Sequence, residues 1–207
     1  MKFPVLPTIF NQSDWDPSIE YTDTFHCKAG FRDYPDHHCK TSWEPTKPYV
    51  KNFRTAIDIG CRDGEFSRYL TNSGFKNVYC FDVRTRKFFP KNVDPKKVTH
   101  FGVALGNGED TVRIRNETPI KGKGILNGGF WKLDDFNFVD VDFIKMDTDG
   151  FERSIIEGGI KTITTYWPVI NLEVFFETDT LKYMTDELGY KVMGTCPRGY
   201  DHILVKE

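Results

Sequence analysis

The stretch that decides the fold of this chain is Asp58-Ile59-Gly60-Cys61-Arg62-Asp63-Gly64-Glu65-Phe66-Ser67. It follows the apolar run Thr55-Ala56-Ile57, which predicts a buried strand, and it leads into apolar residues spaced as in an amphipathic helix. A strand, a glycine-rich turn and a helix form the layout in which backbone amides and a helix N-terminus meet a ligand. Glycine at positions 60 and 64 permits close backbone approach and left-handed dihedral angles. The stretch therefore predicts a ligand site where the first strand of an α/β sheet ends.

The spacing of glycines and acids indicates which ligand this is. The order D-x-G-x-x-x-G differs from the dinucleotide fingerprint G-x-G-x-x-G, and the Gly-Lys-Ser/Thr of a P-loop is missing. Asp58, two residues before the first glycine, suggests a ligand with a cation, such as the amino group of S-adenosylmethionine. Asp82 ends the next predicted strand, close to the spacing of about 20 residues at which an acid accepts ribose hydroxyls. Asp58 as a helix cap and Asp82 as a solvated strand end are the alternatives, but together the two acids favour nucleoside binding.

Composition limits the classes of protein and partner. A chain of 207 residues is long enough for one sizeable domain, and a net charge of −2 gives no strong field for nucleic acid. No apolar run reaches the roughly 18 residues of a membrane span, and the N-terminus lacks the apolar region of a signal peptide. Five cysteines, one of them in a predicted buried strand, favour reduced thiols and a cytoplasmic location. Two basic clusters are interpreted as solvated faces rather than anion sites: Arg84/Arg86/Lys87/Lys91 and Arg113/Arg115/Lys121/Lys123.

The chain divides into an irregular N-terminal arm, residues 1–50, and an α/β domain, residues 51–207. The predicted strands are Thr55–Gly60, Asn77–Val83, Val98–Leu105, Asp142–Asp147, Pro168–Phe175, Tyr190–Gly194 and His202–Lys206. The predicted helices are Glu65–Ser73, Thr85–Phe89, Phe151–Glu157 and Thr180–Leu188. This alternation predicts a parallel sheet with helices on both faces, whose last two strands are antiparallel because their link is too short for a crossover helix. Thr111–Arg115 is predicted as an extra strand, paired through the turn Gly106-Asn107-Gly108.

Acidic residues follow several of the predicted strands. Since ligands bind beyond the carboxyl ends of strands, Asp58, Asp82, Ala104, Asp147 and Glu173 are expected on one rim. Asp149 lies with Asp147 in the turn between the fourth strand and its helix. Three carboxylates brought together need a proton, a cation or a metal ion, which predicts either a divalent cation or a general base with a raised pKa. The alternative is that Asp149 caps the helix and Glu173 pairs with a lysine.

The chain from about Thr55 to Val205 resembles the FkbM family of S-adenosylmethionine-dependent methyltransferases. The resemblance rests on five stretches: Asp58-Ile59-Gly60 with Gly64 and Ser67; Val103-Ala104-Leu105-Gly106; Leu133-Asp134-Asp135; Ile144 to Glu152; and Pro168 to Glu173. The family hallmark I-K-x-D-x-E-G-x-E has Asp149 at its first glutamate here, and Asp82 stands where the family more often has glutamate. Both exchanges keep the charge and shorten the side chain by one methylene.

The resemblance implies a class I methyltransferase (Rossmann-like) fold, with a doubly wound and mostly parallel sheet of about seven strands and an antiparallel last strand. It also implies O-methylation of a hydroxyl on a sugar or natural product. The turn from Asp147 to Asp149 is similar to the D-x-D turn of magnesium-dependent sugar O-methyltransferases, which implies a metal ligand at Asp147 and the base at Asp149. With Glu173 from the acid cluster, the same three residues are expected to be catalytic and to offer a site for Mg²⁺ or Mn²⁺. The residues expected to contact S-adenosylmethionine are Asp58, Gly60, Cys61, Arg62, Gly64, Phe66, Ser67, Asp82, Val83, Ala104 and Asp147.

The sequences of the arm and of one loop indicate a function less specifically than these motifs do. His26, Cys27, His37, His38 and Cys39 allow a zinc site but lack paired C-x-x-C spacing. The favoured interpretation is that the arm closes over the acceptor with its aromatic residues, Trp15, Tyr21, Tyr34 and Trp43. The glycine-rich segment from Lys121 to Gly129 is predicted as a lid or as a flexible connector.

The expected partner is a glycan, such as a terminal deoxyhexose, or another small-molecule acceptor. Three alternatives stay open: a polyketide, lipid or peptide as the acceptor, a nucleoside-binding module without catalysis, and an NAD-dependent dehydrogenase. The missing G-x-G-x-x-G disfavours the last of these. The sequence predicts no oligomeric state.

Overall fold

The computed structural model describes residues 37–62, 64–82, 97–109, 112–115, 118–121, 130–174, 178–196 and 199–207. The strands are β1 (Thr55–Ile59), β2 (Asn77–Phe81), β3 (Val98–Phe101), β4 (Val112–Arg115), β5 (Thr118–Lys121), β6 (Val141–Met146), β7 (Val169–Glu173), β8 (Lys191–Thr195) and β9 (Asp201–Val205). The helices are α1 (His37–Thr46), α2 (Glu65–Asn72), α3 (Glu152–Gly158), α4 (Ile160–Tyr166) and α5 (Thr178–Lys182), which continues as a π-helical turn (Tyr183–Glu187). Short 3-10 helices span Lys47–Tyr49 and Leu133–Phe136.

Seven of these strands form one sheet in the order β3-β2-β1-β6-β7-β9-β8. The pairs from β3 to β7 are parallel, whereas β9 runs antiparallel to both β7 and β8. The order reverses between β1 and β6, so the carboxyl ends of these two neighbours border a crevice that their onward connections leave open. The predicted doubly wound, mostly parallel sheet with an antiparallel last strand is confirmed.

Helices cover both faces of the sheet. Neighbouring residues along each strand point to opposite sides, so strands that are apolar throughout contribute side chains to a core on each face. One face packs against α1 and α2 through a cluster that includes Trp43, Phe66, Phe75 and Phe143. The other face packs against α3, α4 and the π-helical turn through a second cluster that is rich in Ile, Leu and Phe. Both faces of β1 and β7 are therefore buried along their whole length.

Helix α1, the described part of the predicted arm, belongs to this core. Trp43 has no exposed surface, contacts the rings of Phe66 and Phe143, and donates its indole N–H to Ser73 Oγ at 2.7 Å. The expectation that Trp43 covers an acceptor is therefore wrong, because its side chain fills the space between α1, α2 and the sheet. Residues 1–36, with the other aromatic residues of the arm, lie outside the described residues.

Several predicted elements differ from the structure. β4 pairs with β5 in a separate two-stranded sheet, so the predicted pairing through the turn at residues 106–108 is wrong. β5 was not predicted because it contains Pro119, and proline weakens the sequence pattern of a strand. The strand predicted to reach Leu105 ends at Phe101, and the helix after β6 continues as α4 beyond Gly159. The predicted helix Thr85–Phe89, the loop 122–129 and the basic residues 84–91 lie outside the described residues.

Candidate functional site

A cleft of about 510 Å³, including its open mouth, lies at the carboxyl ends of β1, β2 and β6. Five predicted site residues line it: Gly60, Asp82, Ala104, Asp147 and Asp149. Its other lining residues, which the sequence argument did not assign to the site, are Ile59, Phe81, Val103, Leu105, Phe130, Thr148, Phe151 and Ile155. Apolar walls with a few polar groups are typical of a small-molecule site. We call the part formed by Gly60, Asp82 and residues 103–105 the nucleoside half, and the part formed by Asp147, Asp149 and the adjacent Glu173 the acid half.

Gly60 is required by the protein itself. Its φ angle is +79°, and a Cβ atom added there would lie 1.7 Å from the backbone oxygen of Asp147. The close approach arises because β1 and β6 remain paired up to this point, where the Asp147 N–H donates to Ile59 O at 3.1 Å. The amide of Gly60 donates to Phe81 O at 2.8 Å. The glycine therefore serves the approach of two strand ends, which the sequence argument had attributed to the approach of a ligand.

The rest of the turn is closed by its own hydrogen bonds. The Arg62 N–H donates to Asp82 Oδ2 at 2.8 Å, with Arg62 in the left-handed region at φ +51°. Gly64, at φ +79°, precedes α2 and donates its N–H to Cys61 O at 2.7 Å. Asp82 is only 5% exposed, so this carboxylate fixes the turn and lines the cleft at the same time.

Four residues that were expected to contact the cofactor lie in the interior instead: Asp58, Cys61, Phe66 and Ser67. Asp58 points to the α1–α2 face of the sheet and accepts a hydrogen bond from Ser67 Oγ at 2.5 Å, while Ser67 also contacts Cys80 Sγ at 2.9 Å. Burial raises the pKa of the Asp58 carboxyl and of the Cys61 thiol. These side chains support the turn from beneath, and none of them lines the cleft. Val83 lies outside the described residues.

The acid half brings together the three carboxyl groups that the sequence argument grouped. Asp147, Asp149 and Glu173 each place one oxygen within 4.8 Å of the others. Asp149 is exposed at φ +56°, whereas Glu173 is 5% exposed. Burial, followed by the hydrogen bond and the charge of Asp147, raises the pKa of Glu173 to about 10. Glu173 is therefore protonated at neutral pH, and the acid half holds a proton donor beside the Asp147 carboxyl group.

Two residues missed by the sequence argument organise this half. Glu152, which is buried, accepts hydrogen bonds from the N–H and Oγ1 of Thr148, both at 2.8 Å, and from the Gly150 N–H at 3.0 Å. It thereby shapes the turn that carries Asp149. Lys145, which is buried, places Nζ 3.0 Å from Asp147 Oδ2. A charged residue within the apolar run Phe143-Ile144-Lys145-Met146 was the available signal for Lys145.

The metal predictions have different outcomes in the structure. In the part of the chain whose side chains are described, the acid half is the only group of acids, histidines and cysteines with a spacing that could hold an ion. His26 and Cys27 lie outside the described residues, as do the side chains of His37 and His38, so a zinc site in the arm stays a prediction. Cys39, Cys61, Cys80 and Cys196 are free thiols. Among the described helices, none has the length and apolar character to cross a membrane.

Comparison with known proteins agrees with this architecture. A family model, the methyltransferase FkbM domain, matches residues 126–193, which include the whole acid half. The crystal structure of methyltransferase FkbM from Methylobacillus flagellatus KT superposes with a TM-score of 0.53 at 15% identity, covering 92% of this chain and 50% of that one. The fold is that of a methyltransferase. The resemblance to the FkbM family is confirmed, and the chain spans about half the length of that FkbM structure.

Other comparisons add little to this methyltransferase fold. A candidate hemolysin from Lactococcus lactis matches with a TM-score of 0.49 at 16% identity, over 82% of this chain and 84% of that one. A candidate RNA methyltransferase from Pyrococcus horikoshii matches with a TM-score of 0.39 at 14% identity, over 84% and 82%. No curated protein matches the chain at a significant level.

Proposed function

We propose that this protein is an S-adenosylmethionine-dependent O-methyltransferase that transfers a methyl group to a hydroxyl of a carbohydrate, such as a terminal deoxyhexose of a glycan. One observation carries the proposal. A single cleft joins the buried Asp82 carboxylate to the Asp147–Asp149 turn, within a methyltransferase fold. The cleft thus has an acid suited to ribose at one end and acids suited to proton transfer at the other.

The donor set of the cleft fits S-adenosylmethionine. Asp82 is an acceptor for ribose hydroxyls, and Val103, Leu105 and Phe130 provide apolar surface for a base. The Asp147 carboxylate lies where it would attract the positive charges of the methionine part. When bound, the cofactor supplies a methyl group that its sulfonium has already activated. The protein then mainly has to hold the acceptor oxygen in line with that methyl group.

The acid half supplies the proton chemistry. A sugar hydroxyl is a poor nucleophile, so methyl transfer needs its proton removed as the new bond forms. Asp149 is exposed at the cleft, and we assign it as the general base. Asp147 and Glu173 lie beside it, where the protonated Glu173 carboxyl can hydrogen-bond to that of Asp147. Carboxyl oxygens so grouped are the ligand type of Mg²⁺ or Mn²⁺, which would lower the pKa of the acceptor hydroxyl if no other cation occupied this half.

Two experiments test the proposal. Isothermal titration with S-adenosylmethionine and with NAD⁺ separates the cofactor classes, and we expect heat of binding for the first ligand alone. Transfer of a radiolabelled methyl group to a panel of sugars, polyketides, lipids and peptides separates the acceptor classes. If only a non-sugar compound is labelled, the acceptor belongs to that class and is not a carbohydrate. Cofactor binding without any methyl transfer would indicate a binding module. A cytoplasmic location is also a prediction, which fractionation of the source cells would test.

A further inference from the structure

A buried cation lies directly behind the acid half. Lys145 stands on β6, with Asp58 on β1 and Asn171 on β7 as its partners in the strand register. Its side chain is only 6% exposed, and its Nζ lies 3.0 Å from Asp147 Oδ2 and 3.7 Å from Asp58 Oδ1. The ring of Phe66 lies on another side, with its centroid 5.4 Å from Nζ. The ammonium group is therefore held between two carboxylates and an aromatic face.

We propose that Lys145 is the resident cation of the acid half, so that the wild-type protein needs no divalent metal ion there. The inference rests on the proposed function in one respect only, because it takes the acid half to be the part of the cleft where the reaction occurs. Lys145 would act as a positioning residue, because it contacts Asp147 and lies beneath the cleft rather than in its lining. Its charge balances the carboxylates that otherwise repel one another, which is the task first assigned to a metal ion.

The position of Nζ argues against a metal ion in the same place. A divalent cation would have to bind a carboxylate oxygen of Asp147 at about 2.0–2.6 Å. Nζ already lies 3.0 Å from one oxygen of that carboxylate, so the ion would lie close to a buried ammonium group and be repelled by it. Lys145 cannot move aside easily, since its side chain is enclosed on the α1–α2 face of the sheet and is also attracted to Asp58.

The same lysine also pairs with a carboxyl group that lies beneath the glycine turn. Asp58, which pairs with Lys145, accepts a hydrogen bond from Ser67 on α2, the helix that follows the glycine turn. Removal of the ammonium group would leave the Asp58 carboxyl buried without its cation, a situation that is strongly destabilising. Any test must therefore include a variant that keeps the positive charge.

The test measures Mn²⁺ binding to the protein without cofactor, using the electron paramagnetic resonance signal of free Mn²⁺. Wild type is compared with Lys145→Arg, which keeps a cation, and with Lys145→Met, which keeps the length of the side chain without its charge. We expect the first two to leave the free Mn²⁺ signal unchanged. We expect Lys145→Met to bind one ion per chain, at least about tenfold more tightly than wild type, because its carboxylates have lost their counter-charge. Adding Asp147→Asn to Lys145→Met should abolish that binding.

Stoichiometric Mn²⁺ binding by wild type, lost on Asp147→Asn, would overturn the proposal. So would a Lys145→Met protein with a wild-type circular dichroism spectrum that binds no Mn²⁺, because the acids would then need no cation. If Lys145→Met does not fold, wild type and Lys145→Arg decide the question by themselves, since Mn²⁺ binding by either contradicts the proposal and its absence in both supports it. The measurement involves no S-adenosylmethionine, so its outcome is independent of whether the proposed function is right.

Discussion

The two halves of the cleft are built by different means. In the nucleoside half the backbone sets the geometry: Gly60 lets two strand ends meet, and the Arg62 N–H fixes the turn on Asp82. In the acid half ionisable side chains set it, with Glu173 protonated and Lys145 paired to Asp147. Substitutions in the nucleoside half should therefore act mainly on folding and cofactor affinity. Substitutions in the acid half should act mainly on turnover and on the pH dependence of stability.

The largest expected effect is on folding, from Gly60→Ala. The added Cβ atom would lie 1.7 Å from Asp147 O at a φ of +79°, so β1 and β6 would have to separate. We expect a loss of about 4 kcal/mol or more in the free energy of unfolding, measured by urea denaturation. Gly199→Ala is the matched control, because its φ of +82° is similar but, among the described residues, no atom lies within 4 Å of its added Cβ. Equal losses in the two variants would show that backbone strain, and not the strand contact, explains Gly60.

The next effect is on turnover, from Asp149→Asn. Asparagine keeps the shape and accepts the left-handed φ of +56°, but it cannot act as a base. We expect turnover to fall by about 10²–10⁴-fold with little change in cofactor affinity. Asp179→Asn, an exposed acid on α5 outside the cleft, is the control and should keep wild-type turnover. Wild-type turnover in Asp149→Asn would exclude this residue as the base.

A smaller effect, on cofactor affinity, is expected from Asp82→Asn. The amide oxygen can still accept the Arg62 N–H, so the turn should remain, while the charge that suits two ribose hydroxyls is lost. We expect S-adenosylmethionine binding to weaken by about 1–3 kcal/mol in calorimetry. Asp82→Ala should weaken binding further, because it also releases the turn. Unchanged affinity in a folded Asp82→Ala protein would remove the ribose assignment.

The smallest effect is on the pH dependence of stability, from Glu173→Gln. The folded pKa of about 10 lies above the unfolded value, so the stabilising contribution of the protonated carboxyl is complete below pH 4.5 and is lost as pH rises towards 10. Wild type should therefore melt at a lower temperature as pH rises from 6 to 9. Glu173→Gln should flatten this slope in thermal melts.

His100, a buried residue of β3 outside the acid half, is the control for that slope. Burial lowers the pKa of His100 to about 4, against the weaker opposing effect of Asp82. Its contribution to stability is present above pH 6.5 and is lost as pH falls towards 4. His100→Gln should therefore change the pH dependence of the melting temperature only on the acid side. A change of slope above pH 7 in His100→Gln would mean that His100 and Glu173 titrate together.

Much of this arrangement followed from the sequence, for physical reasons. The strand–turn–helix pattern and the alternation of elements predict the sheet, and the rule that ligands bind at strand ends brings Asp147, Asp149 and Glu173 together. The direction of Asp58 could not be predicted. β1 is buried on both faces, so its sequence shows no polar–apolar alternation from which a face could be assigned. The pairing of Lys145 with Asp58 depends on the register between β1 and β6. The register of two parallel strands cannot be read from the local sequence of either strand.

The most direct test of the account is a crystal structure with S-adenosylhomocysteine. We expect the ribose hydroxyls to bind the Asp82 carboxylate, the base to lie against Val103 and Leu105, and the sulfur to point towards the Asp147–Asp149 turn. A nucleoside bound outside this cleft, or one whose ribose is held by another acid while Asp82 holds only the Arg62 N–H, would contradict it.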